Sequence, residues 1–194
     1  MKSLFRTLLV TLFCIMLVAC SNELSAKDTV SSMLDSYKNQ KWEECTNYFN
    51  SDDAFPDIDL IDDSTKGYET KQKLLMDTLC DIEYEILDVE EKENSAIVKV
   101  EIKAMNVGEQ FMKGMKEAIE LALDLSTTEL SQLEITNQMM DTMFKPLEDC
   151  ERTCVATIEV HLVKENGKWV ISPNMEFINS IMGGLLDMTK QFSF

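Results

Sequence analysis

The chain is short of residues that punctuate, catalyse or carry positive charge. Its 194 residues include six glycines, three prolines and a single histidine, and 18 Lys and Arg stand against 35 Asp and Glu. Each shortage excludes something. A net charge of −17 is repelled by nucleic acid and by anionic lipid head groups, both of which reward clusters of Lys and Arg, so a nucleic-acid partner is excluded. One histidine and the lack of HExxH, CxxC, P-loop and GxGxxG patterns remove the common metal, redox and nucleotide signatures. No apolar run reaches the roughly 20 residues that a spanning helix needs. Internal repeats and low-complexity tracts are missing too.

What is present begins with an export signal. Lys2 and Arg6 precede an apolar stretch, Leu8–Ala19, interrupted only by Thr11. A basic start, a short apolar run and a small final residue make a secretory leader. The stretch ends in Leu17-Val18-Ala19-Cys20, which resembles the lipobox of bacterial lipoproteins. That resemblance implies cleavage between Ala19 and Cys20, acylation of the Cys20 thiol, and anchoring on the extracytoplasmic face of the cell membrane. Two or more acyl chains hold a protein stably where one does not. Ser21, and not aspartate, follows the cysteine.

The expected organisation is a leader at 1–19, a lipidated cysteine and polar tether at 20–27, and one domain at 28–194. Cleavage leaves 175 residues, enough for a proper core. It also removes two positive charges and no negative ones, taking the net charge to −19. With Cys14 lost and Cys20 acylated, Cys45, Cys80, Cys150 and Cys154 remain. Four cysteines in an exported chain allow three disulfide connectivities or none. Cys150 and Cys154 can bridge only if the segment between them is curled.

Apolar spacing predicts helices over Asp28–Lys38, from near Lys41 through Phe49, and over about Tyr68–Leu79. The period then drops to two. Ile82, Tyr84 and Ile86, and after a polar turn Ala96, Val98, Val100, Ile102 and Ala104, predict an antiparallel hairpin with one wet face. A second hairpin turns at Asn166-Gly167, a two-residue turn of the primed type, which sets Leu162 opposite Ile171 and Lys164 opposite Trp169. Between the hairpins, 107–151 reads as a two-helix insertion. Its second helix is expected to open at the capping box Ser126-Thr127-Thr128-Glu129 and to end at Pro146. A last helix is expected over about Met175–Thr189, with Gly183-Gly184 as a weak point or a close backbone approach. The class is α+β: N-terminal helices on a four-stranded antiparallel curved sheet, with a helical insertion and a C-terminal helix.

The chain also resembles Firmicutes lipoproteins whose exported domain has a cystatin-like, nuclear-transport-factor-like fold. The lipobox, the helix start Ala26–Leu34, the strand Glu83–Val89, the run Asn166–Ile171 and Ile181–Leu186 carry the resemblance. It implies helices packed into the concave side of a curved sheet, with either a cavity or a core between them, and it implies no particular chemistry.

The chemical candidates are few. His161 with Ser172 and Glu159 outlines a Ser–His–Glu set, but no nucleophile elbow accompanies it. Asp52, Asp53, Asp57, Asp59, Asp62 and Asp63 suggest calcium, yet an EF-hand begun at Asp57 would need Gly and Glu where Asp62 and Tyr68 stand. Isomerases of the resembled fold use an Asp or Tyr inside the cone, which points to Tyr37, Tyr84 and Asp88. Nine of the 13 methionines follow residue 104, and their thioethers suit an irregular core or an adaptable apolar surface. The reading that results is a non-enzymatic, membrane-anchored lipoprotein without cofactor or metal. Besides the bilayer, its expected partner is an apolar ligand or an envelope protein, bound near Met112, Met115, Met140, Met143 and Met182. A small hydrolase or isomerase in the cone is one alternative. Another is a precursor of a hydrophobic peptide cut from the leader at Leu12–Ala19.

Overall fold

A computed structural model describes residues 23–51 and 68–187. Ala19, Cys20, the leader and all six of the aspartates considered for calcium lie outside the described residues. The sheet has four antiparallel strands in the order of the chain: β1 (Glu83–Glu91), β2 (Ser95–Ala104), β3 (Cys154–Glu165) and β4 (Lys168–Ile171). The helices are α1 (Ala26–Lys38), α2 (Trp42–Thr46), α3 (Glu69–Leu79), α4 (Val107–Leu125), α5 (Gln132–Phe144) and α6 (Met175–Ile181). This is the expected α+β arrangement, with α4 and α5 inserted between β2 and β3.

Strand alternation builds the core. Val98, Val100 and Ile102 of β2, Val160 and Leu162 of β3, and Trp169 and Ile171 of β4 are buried on one face. They meet Val30, Met33, Leu34 and Tyr37 of α1, and Phe177, Ile178 and Ile181 of α6. Each large side chain so buried stabilises the fold by about 1.5–3 kcal/mol relative to exposure. Helix α1 starts two residues before Asp28, because the Ser25 side chain accepts from the Asp28 N–H at 3.1 Å and so caps it.

The second hairpin has the predicted register, Leu162 with Ile171 and Lys164 with Trp169. Asn166 and Gly167 both have positive φ, 51° and 86°, as a type I′ turn requires. The first hairpin carries an irregularity that the alternation of Ile82, Tyr84 and Ile86 does not reveal. Ile86 pairs with Val100 and Asp88 with Lys99, so Leu87 is an extra residue. The bulge switches parity, and Val89 packs on the core side while Leu87 is exposed.

The sheet edges are managed differently. Along β4, the Ile171 N–H donates to the Tyr48 carbonyl at 2.7 Å, and the Asn50 N–H donates to the Ile171 carbonyl at 3.2 Å. Residues 48–50 therefore cover that edge. The β1 edge is guarded by its bulge and by Glu83, Glu85, Glu90 and Glu91.

Helix α2 stops at Thr46 and does not run through Phe49, because residues 48–50 pair with Ile171 instead. Two further helix boundaries differ from expectation. The capping box lies at Ser131 and Glu134, not at Ser126 and Glu129. The hydroxyls of Ser126, Thr127 and Thr128 instead donate back to the carbonyls of Leu123, Asp124 and Leu125, closing the end of α4. Helix α6 stops at Ile181, short of Thr189, since Gly183 and Gly184 adopt positive φ (58° and 80°). A Cβ on Gly183 would sit 1.9 Å from the Met105 carbonyl oxygen. The glycines mark a close backbone approach, where the last helix passes the end of β2.

Candidate functional site

The insertion forms an antiparallel helical hairpin, α4 against α5, whose root is held tightly. Asn106, 6% exposed, is the central brace. Its N–H donates to the Glu151 carbonyl at 2.9 Å, and its side-chain oxygen accepts from the Glu151 N–H at 2.8 Å. Its amide group donates to Glu109 at 3.2 Å. One side chain thus joins the chain entering α4 to the chain entering β3. Beside it the Gly108 N–H donates to the Gly183 carbonyl at 3.0 Å, and a Cβ on Gly108 would lie 2.5 Å from the Gly184 oxygen. Further along, Gly114 lets α4 touch the backbone of α5 at Met143, and the Phe111 and Phe144 rings meet edge-on at 5.7 Å. From outside, Tyr68 donates to Asn137 at 2.6 Å, and Lys71 pairs with Asp141.

The methionines expected to border a binding surface divide. Met182 is buried in the main core, 3% exposed. Met112, Met115, Met140 and Met143 are half-buried and pack against that core. Three exposed apolar side chains lie further out on the hairpin, while Leu24, Leu87, Val155 and Met175 are exposed elsewhere. Ile119 and Leu123, one turn apart on α4, are 52% and 68% exposed, and Leu133 on the first turn of α5 is 68% exposed. Periodicity identifies α4 as amphipathic but does not tell which of its apolar residues lie beyond the reach of α5. The apolar positions on its outer flank were the available signal.

The cone candidates take structural roles. Tyr37 is fully buried, and its hydroxyl donates to the carbonyls of Leu79 (3.1 Å) and Ile181 (3.2 Å), tying α3 and α6 to α1. Burial pushes its pKa well above the ordinary 10.0. Tyr84 donates to the Asp35 carboxylate at 2.9 Å and to the Ser31 carbonyl at 3.3 Å. Partial burial, and then the Asp35 carboxylate, raise its pKa and keep the phenol protonated. Asp88 is exposed beside the bulge, where its carboxylate accepts from the Val89 N–H at 2.9 Å.

A shallow cleft of about 150 Å³ is lined by Glu83, Tyr84, Glu85, Glu101 and Lys103. Strand alternation puts those odd-numbered residues on the face away from the helices. The Tyr84 hydroxyl reaches α1 on the other face, so phenol and cleft do not form one site. Glu85 faces Glu101 directly across the strands, a like-charge pair eased by Lys103 at 3.0 Å from Glu101. Among the described residues, no group of three or more His, Cys, Asp or Glu could hold a metal ion.

His161 is exposed on the outer face of β3, and its carbonyl accepts from the Ser172 N–H at 2.9 Å. What the structure records between them is this ladder bond. The four cysteines among the described residues are free thiols. Cys45 and Cys80 are buried in the main core, and burial pushes their pKa values up to about 11 and about 12. Cys150 is raised by burial to about 11, and Cys154 in the same direction for the same reason. The chain from Cys150 to Cys154 is curled, the Thr153 N–H donating to the Glu151 carbonyl at 2.9 Å. Thiols raised in this way stay protonated near neutral pH and are weak nucleophiles.

No helix among the described residues is long and apolar enough to cross a membrane. No family model and no curated protein sequence matches the chain. Among solved structures, YcdA of Bacillus subtilis, a candidate lipoprotein, is similar over 81% of this chain, at 12% identity and a TM-score of 0.43. This chain spans about half of that protein, 47% of its length. A likeness so distant fixes neither fold nor function.

Proposed function

We propose that the chain is an extracytoplasmic lipoprotein, held on the cell membrane by lipid on Cys20, which binds an envelope protein through its helical hairpin and performs no chemistry of its own. The anchor half is supported by the leader and the Leu17-Val18-Ala19-Cys20 motif. The binding half is carried by one observation. A hairpin fastened at its root by Asn106 and by glycine contacts holds Ile119, Leu123 and Leu133 in solvent at its far end. Exposed large apolar side chains grouped on one element mark interaction sites more often than scattered ones do. The half-buried methionines behind them form an adaptable backing.

Photocrosslinking on intact cells tests this reading, with a photoreactive residue at Leu123, Met115 or Met143 in turn. The expected result is a discrete protein adduct from Leu123, weaker from Met115 and Met143, and lost from the membrane fraction in Cys20→Ser. A lipid-like adduct strongest at Met115 and Met143 would replace the protein partner by an apolar ligand. The absence of adducts from all three positions would overturn the binding half.

A further inference from the structure

The charge around the exposed end of the hairpin defines what can dock there. From Glu117 to Phe144 the chain has no lysine or arginine. Glu117, Glu120 and Asp124 stand exposed on the same helix as Ile119 and Leu123, while the exposed Lys113 and Lys116 lie on the side toward the root. An apolar strip with acidic flanks is matched by the inverse pattern: apolar side chains along one stripe of a helix, with lysines or arginines beside them. A second copy of this chain would bring two acidic ends together, and an anionic bilayer would do the same with its head groups.

We infer that the far end of the α4–α5 hairpin docks a basic amphipathic helix of its partner, with Ile119, Leu123 and Leu133 against its apolar stripe and the acidic flanks against its cations. This rests on the hairpin being the docking element, and it adds the chemistry of the occupant.

The test uses the full lipidated chain in zwitterionic nanodiscs, with empty discs as the blank. Three labelled 18-residue peptides serve as probes: amphipathic Leu/Lys, amphipathic Leu/Glu, and Lys/Ser with the same charge but no apolar face. Fluorescence anisotropy is expected to show binding of Leu/Lys that weakens with salt, as paired surface charges require. Lys/Ser should bind at least about tenfold more weakly, as lost burial of leucine-sized side chains implies. Leu/Glu should not bind. The double variant Leu123→Ser, Leu133→Ser, with all charges kept, should weaken Leu/Lys by about tenfold or more on the same grounds.

Equal binding of Leu/Lys and Lys/Ser, or binding unchanged in the double variant, would overturn the inference by showing generic attraction to an acidic surface. An environment-sensitive dye at position 123 that reports immersion in the disc without any peptide would overturn it in favour of lipid. The two readings fail separately. A crosslinked protein adduct in cells together with no Leu/Lys binding rejects the basic helix and leaves the hairpin reading standing. The loss of both rejects the hairpin reading itself.

Discussion

The sheet with α1 and α6, and the hairpin of α4 and α5, are built from similarly apolar sequence but end in opposite conditions. In the first region the apolar side chains close on one another, as with Val100, Ile102, Phe177 and Ile178, all at 0% exposure. In the second, burial follows the seam as far as Gly114 and Ala118, and Ile119, Leu123 and Leu133 remain in water. Both regions have amphipathic elements, and only the number of neighbours differs. A helix facing a sheet has most of its apolar side chains covered, with Met175 at the start of α6 left 62% exposed, whereas a two-helix hairpin covers only the seam. Stability is therefore concentrated in one region, and free binding surface in the other.

Substitutions should separate the two regions in proportion. Phe177→Ala, emptying the main core, should cost about 3–5 kcal/mol in chemical denaturation. A cost near that of a surface residue would break the comparison. Gly183→Ala should cost about 2 kcal/mol or more, because it combines positive φ with a backbone clash at Met105. Asn106→Ala leaves the Glu151 N–H without its partner and should cost about 1–3 kcal/mol. Amide exchange in that variant should quicken first at the hairpin root.

A smaller effect belongs to the start of α5. The Ser131 hydroxyl and then its N–H donate to Glu134, holding that carboxyl below its ordinary 4.5. The cap's contribution is therefore complete above pH 4.5 and fades as pH falls through the lower folded value. NMR of the Glu134 amide should show fraying over that acidic range; Ser131→Ala, which keeps the backbone N–H, should weaken the pH dependence there, and Glu134→Gln should abolish it. The smallest effect on stability is expected at the exposed end. Leu123→Ser should lie within about 0.5 kcal/mol of the parent while impairing docking. A large loss of stability would place Leu123 in a packed interface within the chain.

Legibility from sequence followed the same division. The Asn166-Gly167 turn was readable to the residue, because two positive φ values and a buried stripe demand one register. The α+β class and the position of the insertion followed from the change of period. Misreadings arose where two local rules competed. Ser126-Thr127-Thr128-Glu129 has the composition of a helix start, but its hydroxyls found the carbonyls of the helix already ending. The apolar spacing through Met182 and Leu185 suggested a continuous helix. Two glycines at positive φ end it, and at Gly183 the backbone of Met105 leaves no room for a side chain. The bulge at Leu87 left no mark in the alternation up to Ile86. Only the half-buried Val89, out of phase, betrays it. The exposed apolar end was least legible, since periodicity marks a face as apolar without saying what covers it.

Amide hydrogen exchange on the lipid-anchored protein, compared between native envelopes and the purified form, tests the central claim most directly. The predicted result is protection gained in the envelope across Ile119–Leu133, with β2 and β3 unchanged. Equal exchange across the hairpin in both preparations, or protection gained on the outer face of the sheet instead, would contradict it.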